Sequence, residues 1–226
     1  MEENSSSSEP AGTIDRTNEE HTRHADSGIE TSQVHEVIIK PHRPGLREKV
    51  FFLVSGIVVS VPLTLFVSGF SDSLCVLMPI LYANVCSIAI VAPLVEEFAK
   101  AYLLFYRHGE TQRSIFTLGF LVGLGFGISE FLVYVLTLGA PVYVRLSGIL
   151  FHATSTSITA YGIGTKRTVW FYLVAVALHF SNNFAALFGL PWVLVGPAVV
   201  VLAFLLSWRL YRRTSEKIVD WQNDRP

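Results

Sequence analysis

The chain has 226 residues and is nearly neutral, with 17 Lys and Arg against 18 Asp and Glu. These charges are unevenly spread, because residues 50–208 contain only six Lys or Arg and five Asp or Glu. A stretch so long and so poor in charge excludes a water-soluble domain and predicts an all-α, polytopic membrane helix bundle surrounded by lipid. The near-zero net charge gives no sign of a nucleic-acid partner.

The N-terminal region has the composition of a disordered segment. Residues 1–47 are rich in Ser, Glu, Thr and His, and they lack both apolar periodicity and the start of a secretory signal peptide. We therefore expect a disordered polar cytoplasmic tail at 1–47 and a transmembrane domain at 48–213. Residues 214–226 are expected to form a short cytoplasmic C-terminal tail.

Six apolar stretches predict about six transmembrane helices. The second stretch, residues 74–106, would rise about 50 Å as one helix, whereas the hydrocarbon core needs about 30 Å. Pro93 lacks a backbone donor and predicts a kink or break between 74–92 and 93–106. Cys75 and Cys86 both lie in this stretch and imply no disulfide framework. The six predicted spans are residues 50–70, 74–106, 114–138, 142–164, 169–188 and 192–210.

The positions of the basic residues predict the orientation of the bundle. Cytoplasmic links near membrane spans carry an excess of Lys and Arg. Six crossings place every basic link on one side, whereas seven would place Arg107 and Arg113 opposite Lys49. We therefore expect a multi-pass protein of the cell membrane with both termini in the cytoplasm. The basic links are residues 43–49, 107–113, 166–167 and 209–217, and the links without Lys or Arg lie near 72, 139–141 and 189–191.

Polar groups inside the spans are the candidate functional residues. An ionisable group in the bilayer costs about 2.5–3.5 kcal/mol on insertion scales, so each one needs a partner, a wet cavity or a chemical role. Counting the helical rise places the carboxylates, imidazoles and amide in the central part of the membrane. The main residues are Glu96, Glu97 and Lys100 in span two, Glu130 in span three, Arg145 and His152 in span four, and His179 and Asn183 in span five.

Helical spacing directs these groups toward one another. Glu130 shares a face with Gly119, Gly123 and Gly127, a ridge of small residues that lets a neighbouring helix approach closely. Span four carries its own polar face, and His179 and Asn183 lie one turn apart on span five. We expect these faces to converge. The polar face of span four comprises Arg145, His152, Ser155, Thr156 and Thr159.

A structural role is the alternative interpretation for part of this set. Lys100 can pair with Glu96 at i, i+4 or with Glu97 at i, i+3, and we predict that Lys100 and Arg145 are structural ion-pair or snorkelling residues. The remaining acids and histidines exceed what packing requires, which predicts a functional site.

Several intramembrane mechanisms are disfavoured by the residues present. Asp72 is the only aspartate between Asp26 and Asp220, so an aspartyl dyad is excluded, and no H-E-x-x-H zinc helix occurs. Ser129 follows a weak Gly-Ile-Ser signal and has no evident base beside it.

Four short motifs in order resemble those of the PrsW-type intramembrane proteases, relatives of the CAAX-prenyl endopeptidase and bacteriocin-processing superfamily. Residues 92–100, APLVEEFAK, resemble the E-E-x-x-K signature. Residues 123–130 are similar to the glycine-rich F-x-x-x-E segment, 145–152 to R-x6-H, and 179–183 to H-x-x-x-N. Lys100 stands one position before the arginine of the wider superfamily and Glu130 replaces its histidine, which favours the PrsW branch.

The resemblance implies an intramembrane endopeptidase that hydrolyses a peptide bond of a membrane-associated substrate, for example a single-span regulator such as an anti-sigma factor. A carboxylate in a low-dielectric cavity is a stronger base than in water, so one glutamate of the pair can activate the water while the other is tied to Lys100. The histidines can orient the water or protonate the leaving amine, and the amide can stabilise the oxyanion. The predicted catalytic residues are Glu96, Glu97, His152, His179 and Asn183.

The same groups are also ordinary zinc ligands, and a bound metal would make water more acidic. If a metal is bound, the predicted ligands are Glu97, Glu130, His152 and His179. A zinc-dependent and a metal-free glutamate mechanism both remain open from the sequence.

Two other classes of function fit the same polar residues. A proton- or metal-ion-coupled transporter would show ion flux in liposomes and no peptide product. A non-catalytic membrane scaffold, resembling the gamma-secretase subunit related to this superfamily, would tolerate loss of the polar set.

Overall fold

The computed structural model describes residues 42–105, 110–189 and 194–219. This part of the chain forms six helices and no extended sheet, which confirms the predicted all-α bundle. Most of the predicted disordered tail, residues 1–41, lies outside the described residues. The helices are α1 Leu46–Cys75, α2 Ile80–Tyr102, α3 Gln112–Thr137, α4 Val142–Gly164, α5 Thr168–Phe188 and α6 Val195–Tyr211.

The helices have the length and surface of a multi-pass membrane protein. Four of them, α1, α2, α3 and α5, are long and apolar enough to cross a bilayer, and α6 is a shorter apolar helix. Large apolar side chains face outward, including Leu77 at 83%, Tyr143 at 81% and Trp170 at 74% exposure. Such a surface is suited to lipid and not to water.

The second predicted span differs from the structure at both ends. Helix α1 continues to Cys75, and α2 begins only at Ile80 and ends at Tyr102. The predicted break at Pro93 is wrong, because α2 continues through this residue. A π-helical turn, Val85–Val91, precedes Pro93, and the Ile88 carbonyl in that turn accepts a hydrogen bond from the Asn183 side chain. The 23 residues of α2 make a helix of about 35 Å, which is long enough to cross a bilayer once.

A disulfide joins Cys75 at the end of α1 to Cys86 in α2, with 5.7 Å between their Cα atoms. The sequence did not predict this pair, because both cysteines had been assigned to one helix. In a single helix, residues eleven apart would lie about 16 Å from each other. The turn between α1 and α2 is what brings them together.

Glycines let α3 pack closely against two neighbours. A Cβ added at Gly123 would lie 2.2 Å from the carbonyl oxygen of His152 on α4, and Gly119 and Gly127 also face α4, which confirms the predicted ridge. On another face of α3, a Cβ at Gly125 would lie 2.0 Å from the carbonyl oxygen of Leu53 on α1. Helix α4 is the centre of the bundle, since every residue from 151 to 160 is buried.

Two segments pack together where α3 begins, and we name residues 110–113 and 214–219 the clasp. The Val219 N–H donates to the Glu110 carbonyl at 3.0 Å, and the Gln112 N–H donates to the Lys217 carbonyl at 3.2 Å. The described part of the predicted C-terminal tail is therefore bound to the helical domain.

We expect Gly123→Ala to destabilise the fold by about 1–3 kcal/mol, because the added methyl would meet a backbone oxygen that has no room to move. The matched control is Gly69→Ala on α1, where a Cβ meets nothing within 4 Å. Thermal unfolding in detergent, followed by tryptophan fluorescence, measures both. Equal midpoints for the two variants would contradict the close packing of α3 on α4.

Candidate active site

Four helices bring their polar side chains to one place inside the bundle. Helix α2 contributes Glu96, Glu97 and Lys100, while α3, α4 and α5 contribute Glu130, His152 and His179. Glu97 and Lys100 are 0% exposed, His152 is 3% and His179 is 2%. The expected convergence of these faces is observed.

The Glu97 carboxylate accepts three hydrogen bonds through one oxygen. Its Oε1 lies 2.7 Å from Lys100 Nζ, 3.0 Å from Ser155 Oγ and 2.9 Å from His179 Nδ1. The charged hydrogen bond to Lys100 at i, i+3 is one of the two pairings that the spacing allowed. Since Ser155 and His179 belong to α4 and α5, this carboxylate connects three helices.

Lys100 also contacts His152, with 3.0 Å between Nζ and Nδ1. An ammonium group only donates, so Nδ1 of this imidazole is the acceptor. The opposite ring nitrogen, Nε2, lies 2.5 Å from Glu130 Oε2 and donates to it. The Lys100 Nζ atom also lies 4.8 Å from the centre of the Phe126 ring. The lysine thereby sets the orientation of one histidine and neutralises one glutamate.

The neighbouring Glu96 has a different environment. Its Oε2 is buried and has no hydrogen-bond partner, and His179 Nε2 lies 3.7 Å away. A buried carboxylate oxygen without a donor is unfavourable unless a proton, a water molecule or a cation satisfies it. The Oε2 atom of Glu97 is likewise buried without a hydrogen-bond partner, so the two glutamates differ in the three donors that Glu97 Oε1 receives.

The residues present fit a divalent metal. Glu96, His152 and His179 each place one ligand atom within 4.8 Å of the others. Because His179 Nδ1 donates to Glu97, its Nε2 is free to act as a ligand, an arrangement common at metal sites. A metal at His152 Nε2 would take the place of the proton donated to Glu130. Two imidazoles and one carboxylate make an ordinary ligand set for a catalytic zinc.

Two predicted ligands, Glu97 and Glu130, adjoin the group of three whose ligand atoms lie within 4.8 Å of one another. Glu97 accepts a hydrogen bond from His179 Nδ1, the ring nitrogen that does not face the metal group. Glu130 lies against His152 Nε2 at the edge of this group. The sequence did not distinguish these positions, although the neighbours Glu96 and Glu97 necessarily point about 100° apart on a helix.

Asn183 lies on the cavity side of α5, one turn beyond His179. Its Nδ2 donates to the Ile88 carbonyl in the π-helical turn of α2 at 3.0 Å. The amide has a second N–H to offer, and Asn183 lines the cavity described below.

Arg145 makes no ion pair among the described residues. Its guanidinium carbon lies 3.5 Å from the centre of the Tyr134 ring, and its Nε is buried without a hydrogen-bond partner. The contact that the structure shows for this arginine is a cation–π contact with the ring. Tyr134, four residues after Glu130, was not identified from the sequence.

A cavity of about 610 Å³ adjoins this centre. It extends from Glu130, His152 and His179 to the first turns of α4 and α6 and to the end of α5. The polar groups therefore adjoin a cavity of the size typical of ligand-binding pockets.

Comparisons with known proteins give one match. A family model described as PrsW family intramembrane metalloprotease matches residues 46–209. No curated protein and no solved structure matches the chain.

We expect Lys100→Met to lower stability by about 3–5 kcal/mol, because the Glu97 carboxylate would remain buried without its cation. The double variant Lys100→Met with Glu97→Gln should recover part of this loss, since neither residue of the buried pair is then charged. Thermal unfolding in detergent measures both, with Lys49→Met on the exposed start of α1 as the matched control. A single variant as stable as the wild type would show that the pair is not buried.

Proposed function

This chain belongs to the PrsW family of intramembrane metalloproteases and is a hydrolase, and we propose that it cleaves a peptide bond within the membrane segment of another protein at the Glu96, His152 and His179 centre. The observation that carries this proposal is the buried Glu96 oxygen, which has no partner and faces two histidines. Such a group is stable only with a ligand or a proton.

The metal of the proposed reaction is zinc, held by Glu96, His152 and His179. When bound, it supplies the Lewis acidity that lets water lose a proton near neutral pH. The support is the donor set itself, since two imidazoles and one carboxylate are ligands that zinc prefers. Metal-free hydrolysis, with Glu96 as the base, is the alternative that the experiment below separates.

Glu97 and Lys100 position the other groups and do not contact the substrate. The Glu97 carboxylate holds His179 through Nδ1, so that the other nitrogen of the ring faces the centre. Lys100 keeps the Glu97 charge stable in the interior and fixes the His152 ring through its Nδ1. These hydrogen bonds restrict rotation of the His179 and His152 rings.

Glu130 and Asn183 carry the remaining steps in this proposal. Glu130 lines the cavity with its Oε2 beside His152, where it can accept a proton from the attacking water and pass it to the leaving amine. Asn183 can donate its second N–H to the developing oxyanion of the substrate carbonyl.

The proposed substrate is a single-span membrane protein, for example a regulator such as an anti-sigma factor. A helix entering the cavity must unwind locally, because the backbone carbonyls of an intact helix are already hydrogen-bonded. The polar groups of Ser147, Asn182 and Asn183 at the cavity wall offer partners to the backbone groups released in this way.

Both termini lie in the cytoplasm in this proposal. The support is the excess of Lys and Arg at one end of the bundle. The Cys75–Cys86 disulfide lies near the opposite end, consistent with an oxidising exterior.

We expect two Glu→Gln variants to separate metal binding from proton transfer. Glu96→Gln should lose both zinc and cleavage, whereas Glu130→Gln should retain zinc and lower kcat by about 10²- to 10⁴-fold. Purified protein is incubated with candidate single-span substrates, products are identified by mass spectrometry, and zinc is measured by elemental analysis. The matched control for the Glu→Gln change is Glu216→Gln, because Glu216 is an exposed residue of the clasp.

Several results would contradict parts of this proposal. Full activity in zinc-free protein would support the metal-free mechanism, and full activity of both variants would remove the centre from catalysis. Ion flux in liposomes without any peptide product would favour a transporter, and neither flux nor product would favour a scaffold.

We expect a membrane-impermeant maleimide to label Leu138→Cys in intact cells and to label Arg212→Cys only after lysis. Both side chains are exposed and lie near opposite ends of the bundle. The reverse pattern would overturn the proposed orientation. The native cysteines do not interfere, because they are joined in the disulfide.

A further inference from the structure

Arg145 is the only Lys or Arg among the described residues that line the cavity. It lies on α4 seven residues before His152, so the two share a face and are separated by two helical turns, about 10 Å. This places a permanent positive charge on the wall of the cavity, on the same face of α4 as His152.

The guanidinium is held in place and still has hydrogen bonds to give. Tyr134 lies against its face at 3.5 Å, which restricts the plane of the group. The buried Nε has no hydrogen-bond partner in the described part of the protein. A buried donor without an acceptor is costly, and a guanidinium has five N–H groups arranged as a fork. An acceptor supplied by a ligand would remove that cost.

We propose that Arg145 binds a carboxylate of the substrate and so selects cleavage sites that have an acidic group about three residues from the scissile bond. This proposal rests on the proposed function, because it places the scissile bond at the centre near His152. A guanidinium fork matches a carboxylate with two parallel hydrogen bonds, which makes a carboxylate the preferred ligand over a single carbonyl. An extended peptide spans about 10 Å in three residues, which sets the distance.

The carboxylate can come from two sources that share this chemistry. One is an Asp or Glu side chain within the unwound segment, and the other is the free C-terminus of a substrate that ends in the cavity. The side-chain source predicts cleavage inside a chain, whereas the C-terminal source predicts removal of a short peptide of about three residues.

The test uses quenched-fluorescent apolar peptides that share one cleavable core. Each peptide carries Asp or Asn at a single position, scanned over five residues on both sides of the scissile bond, and each is made as a free acid and as an amide. For the wild type we expect kcat/KM to favour Asp over Asn at about the third position by about tenfold, mainly through KM. If the C-terminus is the ligand, the preference is for the free acid over the amide.

Variants at Arg145 test whether this residue causes the preference. The ratio of kcat/KM for the Asp peptide to that for the Asn peptide should fall to about one in Arg145→Gln and remain above one in Arg145→Lys. The Arg145→Glu protein should instead prefer a peptide with Lys at the same position. Arg212→Gln, an exposed arginine at the end of α6, is the matched control and should keep the wild-type ratio.

Three outcomes would overturn the proposal. One is a ratio that Arg145→Gln leaves unchanged. Another is an equal loss of cleavage for Asp and Asn peptides, which would show that Arg145 acts only on the charge of the nearby Glu130. In the third, Arg145→Gln changes cleavage of all peptides equally, and the size of the change depends on the anionic lipid content of the nanodiscs. This result would assign the guanidinium to a lipid phosphate.

A peptide-binding measurement tests carboxylate recognition independently of the proposed protease function. Labelled Asp and Asn peptides are titrated into the Glu130→Gln protein with and without Arg145→Gln, and anisotropy reports Kd without cleavage. Tighter binding of the Asp peptide that requires Arg145 supports carboxylate recognition even if the wild type cleaves nothing. Cleavage without any such difference in Kd or in kcat/KM would reject carboxylate recognition and leave the protease function standing.

Discussion

The buried carboxylate of Glu97 is the contact on which the rest of the structure depends. A charge in the interior of a membrane bundle costs several kcal/mol unless it is paired and hydrogen-bonded, and here one oxygen receives donors from Lys100, Ser155 and His179. These donors belong to three helices, so satisfying one charge also fixes how α2, α4 and α5 pack. The same contact orients a histidine of the site, and therefore fold stability and site geometry depend on the same few atoms.

The sequence was informative wherever an apolar stretch ended in clear polar or glycine-containing links. Helix α4 begins and ends at the predicted residues, Val142–Gly164, and the glycine ridge of α3 packs against it as expected. The boundary between α1 and α2 lies at residues 76–79 and not at the predicted link near Asp72, because the four residues that turn the chain carry no charge. The π-helical turns were missed as well, since they are short and their residues follow no pattern distinct from an α-helix.

The identities of the site residues were predictable because polar groups are expensive in the bilayer and few in number. The partner of each atom was not predictable, since it depends on the rotation of each helix about its axis and on side-chain rotamers. Glu96 and Glu97 illustrate this limit, because adjacent positions on α2 place one carboxylate among three donors and leave the other open. Arg145 illustrates it again, since its contact is the ring of Tyr134 within the π-helical turn Val133–Thr137.

The clasp also constrains the order of events during biosynthesis. Residues 214–219 are the last described residues to be translated, yet their backbone bonds to residues 110–113, where α3 starts. These bonds form only once residue 219 has been translated, after all six described helices have been synthesised. The nascent chain therefore passes through a stage in which all six described helices have been synthesised and the beginning of α3 still lacks its partner in the clasp.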